Sequence, residues 1–270
     1  MDPTVLILVY CALVVAASLL GGALPSVVRL THTRMQVTIS FVAGLMLGVS
    51  LFLMVPHAAE ATGSVEQTML WAVLGLLAMF LLIRTFHFHE HEPVGDHGHP
   101  HPHHGHRLSW VGVLVGLSLH TAIDGVALGA SVVATSDGAL AGFGTFLAVA
   151  LHKPLDALAI TTLMTAGDEP AGRKKVVNAV FALMCPLGAA LFYFGVGGEA
   201  SEFVGCALAF AAGVFLCISL ADLLPELQFH RHDRLKLSAA LLAGVVLAYG
   251  IGRLESHGHA ERPGHERHEH

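Results

Sequence analysis

Long apolar runs constrain this chain more than any other feature of its sequence. A helix needs about 20 predominantly apolar residues to cross the hydrocarbon core of a bilayer, and the chain carries eight runs of that kind. We therefore predict an all-α polytopic membrane protein with eight transmembrane helices. The predicted spans are residues 4–28, 35–56, 68–86, 108–135, 139–166, 176–195, 203–227 and 235–254. The first run lacks the basic segment of a cleaved signal sequence, so we expect it to remain as a helix.

Composition supports the membrane class and excludes others. Apolar residues make up 54% of the chain and charged residues only 13%, whereas about 25% of an ordinary soluble domain is charged. The sequence contains no basic tract suited to a nucleic acid. Its four cysteines form no CxxC pair, so we predict no disulfide framework.

The basic residues of the short loops predict the orientation. With eight spans, the loops after spans one, three, five and seven carry Lys and Arg, whereas the loops on the other side carry acidic residues only. Basic loops remain in the cytoplasm, so we expect both termini outside, in a plasma or inner membrane. The basic residues are Arg29, Arg34, Arg84, Arg107, Arg173, Lys174, Lys175, Arg231, Arg234 and Lys236. The exceptions are Arg253, Arg262 and Arg267 near the C-terminus.

Two matched pairs of polar residues lie inside the apolar runs. His120 and Asp124 are four residues apart in span four, and His152 and Asp156 are four apart in span five. Because this spacing places both side chains on one face of a helix, neighbouring spans would bring two imidazoles and two carboxylates together. Ionisable residues are costly within a membrane, and His nitrogen with carboxylate oxygen binds Zn²⁺ and similar cations. The sequence therefore predicts a buried metal site formed by these four residues.

Other residues near the pairs have more than one interpretation. Lys153 follows His152 and either acts as a fixed cation in place of a second metal or forms a plain ion pair with a nearby carboxylate. Thr121 offers a hydroxyl contact or simply packs. Proline kinks a helix because it lacks an amide hydrogen. Pro154 and Gly125 therefore either open space beside the site or serve helix packing.

Three polar residues elsewhere are candidates for a cation pathway. Asp222 and Glu226 lie four apart on span seven, and His57 ends span two. They could serve as stations on the path of a cation. Helix capping and contact with the membrane interface explain them equally well.

Two segments outside the spans are rich in histidine. Residues 87–107 and residues 257–270 combine His with Glu, Gly and Pro, a composition that cannot build a core. We expect the first to be a cytoplasmic loop that buffers metal, with a solvated linker as the alternative, and the second to be a disordered tail. The loop histidines are His87, His89, His91, His97, His99, His101, His103, His104 and His106.

Spans two and seven share a residue pattern. Ala43-Gly44, Ser50-Leu51 and Pro56 of span two recur in span seven, each 169 residues later and without a gap. In the predicted orientation these two spans cross the membrane in opposite directions. The pattern therefore indicates an inverted-topology repeat, as in secondary transporters. Chance similarity between apolar helices is the alternative.

These residues resemble the motifs of the ZIP family (Zrt/Irt-like proteins) of divalent metal transporters over nearly the whole chain. The segment from His120 to Gly125 is similar to H-N-x-x-[DE]-G, and the segment from His152 to Asp156 is similar to H-[EK]-x-P-[DE]. Residues 212–226 are similar to A-G-x-F-L…D-L-L-P-E. The resemblance implies a 3+2+3 bundle, in which spans one to three and six to eight are inverted repeats around spans four and five. It also implies elevator-like transport.

The chain departs from the family pattern in several places. Thr121 replaces the usual Asn, Lys153 replaces an acidic residue, and Pro154 comes one position early. Span six contains no acid. In family members with two metals, that Asn, that acid and an acid from span six help to hold the second ion. The resemblance therefore implies one transported metal, with the second site lost or filled by Lys153.

We therefore predict a non-enzymatic transporter, formed by residues 1–256, that brings a divalent cation into the cytoplasm. Zn²⁺ is the first choice, and Fe²⁺, Mn²⁺, Cd²⁺ and Co²⁺ are alternatives. The expected partners are the metal ion and the lipid bilayer, with a homodimer left open and no nucleic acid. An intramembrane zinc-dependent hydrolase and a non-transporting metal sensor are the competing hypotheses.

Overall fold

Helices form the secondary structure of this protein. The computed structural model describes residues 2–27, 32–87, 106–135, 141–196, 201–223 and 234–260, and these residues contain no β-strand. The predicted all-α class is confirmed. The helices are α1 (Pro3–Val27), α2 (His32–Val49), α3 (Val55–Thr62), α4 (Val65–His87), α5 (His106–Ala134), α6 (Phe143–Ala166), α7 (Ala171–Ala182), α8 (Met184–Val196), α9 (Ser201–Cys217) and α10 (Arg234–Ala260).

Within the described residues, eight segments are long and apolar enough to cross a membrane, as predicted. Three of them are composite. Thr33–Thr62 comprises α2, a π-helical turn and α3, Ala171–Gly195 comprises α7 and α8, and Glu202–Leu220 runs from α9 into a second π-helical turn. Many large apolar side chains on these segments are exposed, which suits a surface surrounded by lipid tails. The chain is therefore a multi-pass membrane protein.

Widened π-helical turns interrupt the second and seventh spans at corresponding places. One occupies Ser50–Met54, and the other occupies Ile218–Leu223 directly after α9. Pro56 follows the first turn. Because proline lacks an amide hydrogen and its ring clashes with the carbonyl four residues earlier, the helix widens before it.

A pair of glycines holds α2 close to α10. A Cβ on Gly44 would overlap the carbonyl oxygen of Leu241. In return, a Cβ on Gly244 would overlap the carbonyl oxygen of Phe41. The two backbones therefore approach each other directly, as small residues permit in membrane helices.

The same arrangement holds α4 close to α9. Gly213 lies against the carbonyl oxygen of Ala72, and Gly75 lies against that of Phe210. Each of these four residues stands 169 positions from its counterpart in the contact between α2 and α10. This offset equals the one between the sequence patterns of spans two and seven.

α5 and α6 form a hairpin that carries the predicted ligands. Near the connection between them, Thr145 donates a hydrogen bond to Ser131 Oγ at 2.9 Å. The amide of Gly142 donates to Thr135 Oγ1 at 2.8 Å. α8 packs along α5 and α1 packs along α6, so each ligand-bearing helix is supported by a different neighbour.

Candidate metal centre

α5 and α6 bring the four predicted ligands together. His120 and Asp124 on α5 and His152 and Asp156 on α6 each offer one ligand atom, and these atoms lie within 4.8 Å of one another. Because the helices of the hairpin are antiparallel, His120 lies level with Asp156, and Asp124 lies level with His152. The residues that the sequence places in two separate pairs therefore form one compact cluster.

The distances within the cluster match the size of a tetrahedral zinc site. His152 Nε2 lies 3.2 Å and His120 Nε2 lies 3.3 Å from Asp124 Oδ2. Both imidazole nitrogens lie 3.8 Å from Asp156 Oδ2. Zinc–ligand bonds of about 2.0–2.1 Å separate the corners of a tetrahedron by about 3.3–3.4 Å. A zinc ion therefore fits between these atoms after small movements of the side chains.

A backbone carbonyl fixes the tautomer of His152. Its Nδ1 lies 2.8 Å from the carbonyl oxygen of Ala148, and because a carbonyl oxygen can only accept, Nδ1 carries the hydrogen. The lone pair of Nε2 in the neutral ring then faces Asp124 Oδ2. A cation between these two acceptors stabilises both of them, and metal-binding histidines are commonly oriented in this way.

Several polar atoms of the cluster are buried without a hydrogen-bond partner. Neither ring nitrogen of His120 makes a hydrogen bond, and neither does Asp124 Oδ1. The side chain of His120 is 2% exposed and that of Asp124 is fully buried. An unsatisfied buried polar group destabilises the folded state by about 1–3 kcal/mol. Coordination of a metal ion by these atoms would remove that destabilisation.

Lys153 lies against the same carboxylates. Its ammonium group forms an ion pair with Asp124, donates to Asp156 Oδ2 at 2.8 Å and donates to Thr121 Oγ1 at 3.1 Å. Its side chain is only 1% exposed, and a buried ammonium requires such partners. Lys153 therefore pairs with both acids at once and places a fixed positive charge beside the ligands.

Asp156 is the least buried of the four ligands, with 16% of its side chain exposed. It lies one helical turn closer than His152 to the end of α6 that leads to the basic segment 173–175. The ring of Phe215 meets the ring of His152 edge-on, with centroids 5.9 Å apart. The side chain of Asp156 is therefore the most accessible part of the cluster.

Pro154 and Gly125 serve helix packing. α6 continues without a break through Pro154, and Gly21 of α1 lies so close that a Cβ would overlap the backbone of Pro154. Gly125 packs in the same manner against the carbonyl oxygen of Cys185 on α8. Of the two interpretations of these residues, the contacts support packing, because neighbouring helices fill the space beside them.

Comparison with known proteins adds evidence beyond the individual motifs. The model of the family described as ZIP Zinc transporter matches residues 85–252, which is more than half of the chain. The chain belongs to the ZIP family. The match includes both ligand-bearing helices of the hairpin, and the resemblance seen in the motifs is confirmed.

Three relatives in the ZIP family show the extent of the similarity. Zinc transporter ZIP9-B of Xenopus laevis is 34% identical over 148 residues, which cover 52% of this chain and 46% of the relative. Zinc transporter ZIP9 of Macaca fascicularis is 33% identical over 159 residues, covering 54% and 66% respectively. Zinc transporter ZIP6 of Pongo abelii is 29% identical over 149 residues, covering 53% and 19%. The chain thus spans about half the length of the first of these ZIP relatives.

The structure locates some of the other residues predicted to take part in ZIP function. His57 lies on α3 and is half-buried. Asp222 belongs to the π-helical turn after α9, His87 ends α4 and His106 begins α5. Residues 257–260 of the predicted tail belong to the end of α10. Outside the described residues lie Glu226, His89, His91, His97, His99, His101, His103, His104 and residues 261–270 of the tail.

Sequence reasoning missed three contacts of this ZIP site. The carbonyl of Ala148 orients His152, and its position four residues earlier on the same helix is a signal that could have been used. Phe215 covers the ring of His152, and Gly188 of α8 packs against the ligand helix α5. The last two depend on which helices are neighbours, and hydropathy carries no information about that.

Proposed function

We propose that this protein carries Zn²⁺ across the membrane toward the cytoplasm, with His120, Asp124, His152 and Asp156 as its binding station. The observation that carries the proposal is the convergence of four ligand atoms within 4.8 Å of one another in the bundle interior. Membership of the ZIP family supports transport, and the names of the matched relatives support zinc as the cargo.

The ligand set suits a cation that must be bound and then released. Two imidazoles and two carboxylates accept Zn²⁺ in tetrahedral geometry. Fe²⁺, Mn²⁺, Cd²⁺ and Co²⁺ share these ligand preferences in part, so they remain alternative cargoes. Lys153 offsets one of the two carboxylate charges. This weakens the attraction of the cluster for a dication and thereby favours release.

We also propose that the protein carries a single metal ion at a time. The ammonium of Lys153 touches both carboxylates and Thr121, the residue that stands in place of the family's Asn. A second dication beside the first would meet this fixed charge at short range, where repulsion is strong in a medium of low dielectric constant. Lys153 thus takes the place of a second ion.

An elevator-like mechanism with inverted repeats is the corresponding proposal for the whole bundle. Its supports are the two π-helical turns and the glycine contacts that recur at an offset of 169 residues. α2 pairs with α10 and α4 with α9, whereas α1 and α8 pack on the ligand-bearing hairpin. We propose that α2, α4, α9 and α10 form a scaffold. The hairpin of α5 and α6, together with α1 and α8, slides against that scaffold with the bound ion.

Uptake into reconstituted vesicles tests the proposal. The wild-type protein should admit Zn²⁺ to liposomes that contain a zinc-sensitive dye. His152→Ala and Asp156→Ala each remove a ligand. Each should reduce the initial rate at least about tenfold, since even residues that merely support a metal ligand have effects of that size.

Thr161→Val is the matched control on the same helix. Thr161 is buried and donates only to backbone carbonyls of α6, so this variant should transport zinc at the wild-type rate. Undiminished flux in both folded ligand variants would refute the binding station. Zinc binding without flux in the wild type would identify a sensor, and hydrolytic activity without flux would identify the hydrolase.

A further inference from the structure

A glycine of a flanking helix contacts α5 midway between its two ligands. Gly188 on α8 packs against the backbone of Ala122, which lies between His120 and Asp124 in the chain. A Cβ on Gly188 would overlap the carbonyl oxygen of Ala122. No side chain intervenes, so the position of α8 acts directly on the backbone that carries both ligands.

A different flanking helix contacts α6 in the equivalent way. Gly21 on α1 packs against the backbone of Pro154, which lies midway between His152 and Asp156. A Cβ on Gly21 would overlap both the α-carbon and the carbonyl oxygen of Pro154. Pro154 holds the same place between its ligands as Ala122 does, so a glycine of a flanking helix contacts each ligand helix midway between its two ligands.

We infer that Gly21 and Gly188 are positioning residues that set the separation of the two ligand helices, and thereby the size of the ion that the cluster accepts. This inference rests on the proposed function. Metal sites require their ligands to be held within about 0.5 Å of the productive geometry. Across the two helices, His152 Nε2 stands 3.2 Å from Asp124 Oδ2 and His120 Nε2 stands 3.8 Å from Asp156 Oδ2. A small movement of either helix therefore changes the fit of an ion.

A methyl group at either glycine would force the backbones apart. The atoms that it meets are backbone atoms, which cannot rotate away as the end of a flexible side chain can. Zn²⁺ requires four short bonds of about 2.0–2.2 Å, whereas the larger Cd²⁺ accepts a wider cage. Displacement of a ligand helix should therefore weaken zinc binding more than cadmium binding.

Affinities for the two metals, measured on the purified full chain, test the inference. Gly21→Ala and Gly188→Ala should each lower the ratio of Zn²⁺ affinity to Cd²⁺ affinity about tenfold, which corresponds to about 1.4 kcal/mol. A merely structural role would not produce this result, because partial unfolding reduces the binding capacity for both metals equally and leaves the ratio unchanged.

Gly244→Ala and Gly75→Ala are matched controls. Each adds a methyl group that overlaps a backbone carbonyl, that of Phe41 or Phe210, on helices that carry none of the four ligands. These variants should lose stability to a similar extent and retain the wild-type ratio of affinities. An equal change of the ratio in the controls would overturn the positioning role.

Asn178→Ala provides a second test if Gly21→Ala does not fold. Asn178 donates from Nδ2 to the carbonyl oxygen of Leu19 at 3.2 Å and lies against Gly22. It therefore fixes α1 beside the Gly21 contact, and its truncation adds no overlap. The same ratio should fall. An unchanged ratio in folded variants overturns the inference, whereas a wild-type protein that binds neither metal overturns the proposed function itself.

Discussion

A single ammonium group sets the charge of the ligand cluster. Lys153 pairs with Asp124 and Asp156, so with neutral histidines the cluster carries one net negative charge. A bound dication changes this to one net positive charge. Because uncompensated charge is costly in surroundings of low dielectric constant, the lysine keeps the loaded and unloaded clusters equally far from neutrality.

The role of Lys153 predicts the outcome of a charge reversal. Lys153→Glu should raise the number of bound zinc ions from one to two and tighten the first binding step, because a carboxylate replaces a fixed cation. Adding Thr121→Asn should strengthen the effect, since it restores the residue found in two-metal members of the family. Isothermal titration calorimetry measures both the stoichiometry and the affinity.

Lys175→Glu is the control for this charge reversal. It makes the same change of charge at an exposed residue of α7, outside the ligand cluster, and should bind zinc like the wild type. Identical stoichiometry and affinity in Lys153→Glu and the wild type would count against Lys153 as the substitute for a second ion.

Pairs of helices are the packing units of the bundle at the scale of elements. Gly44 and Gly244 join α2 to α10, and Gly75 and Gly213 join α4 to α9, each by contact with a backbone carbonyl. Lipid tails are as apolar as the side chains that they meet, so close packing and polar contacts hold membrane helices together in place of the hydrophobic effect. Glycine is therefore required where the backbones touch.

The equivalence of the two helix pairs predicts equal sensitivity to added volume. Gly44→Ala and Gly213→Ala should each lower the midpoint of thermal unfolding in detergent, by similar amounts, because overpacking costs about 1–3 kcal/mol. Gly250→Ala on α10 is the control. Among the described residues, no atom of another helix lies within 4 Å of the Cβ that it adds, and alanine favours helix over glycine. Clearly different shifts in Gly44→Ala and Gly213→Ala would contradict the equivalence of the contacts. Midpoints no lower than that of Gly250→Ala would contradict the close packing at these glycines.

The distribution of basic residues predicts the orientation of the whole molecule in the membrane. Arg173, Lys174 and Lys175 follow α6, and the loops on the other side of the membrane carry no Lys or Arg. Because basic loops tend to remain in the cytoplasm, we predict that the connection between α6 and α7 lies inside and the start of α1 lies outside. In this orientation Asp156 is the ligand of α6 nearer to the cytoplasm.

Labelling of intact cells tests this orientation. Asp2→Cys should react with a membrane-impermeant maleimide, whereas Lys175→Cys should react only after the cells are permeabilised. The native cysteines lie within membrane-spanning helices, so labelling of the wild-type protein gives the background level of the assay. Reaction of Lys175→Cys from outside in intact cells would reverse the orientation and the direction of transport that depends on it.

The sequence by itself determined the eight spans and the four residues of the His/Asp cluster. Bilayer thickness sets the length of an apolar run, and helical periodicity places His120 with Asp124 and His152 with Asp156 on common faces. Both are local properties. The sequence did not predict that the sixth span divides at Leu183 or that the second widens at Ser50–Met54. These details depend on how the helices pack against their neighbours.

Only the tertiary structure decided how these faces meet. Hydropathy does not encode the rotation of a helix about its own axis or the identity of its neighbours. The structure turns both ligand pairs toward each other, directs Lys153 onto both acids and places Gly21 and Gly188 against the ligand helices. The contact between Gly21 and Pro154 joins residues that are far apart in the chain. Such contacts are set by the packing of whole helices against one another, and the sequence of one helix alone does not determine them.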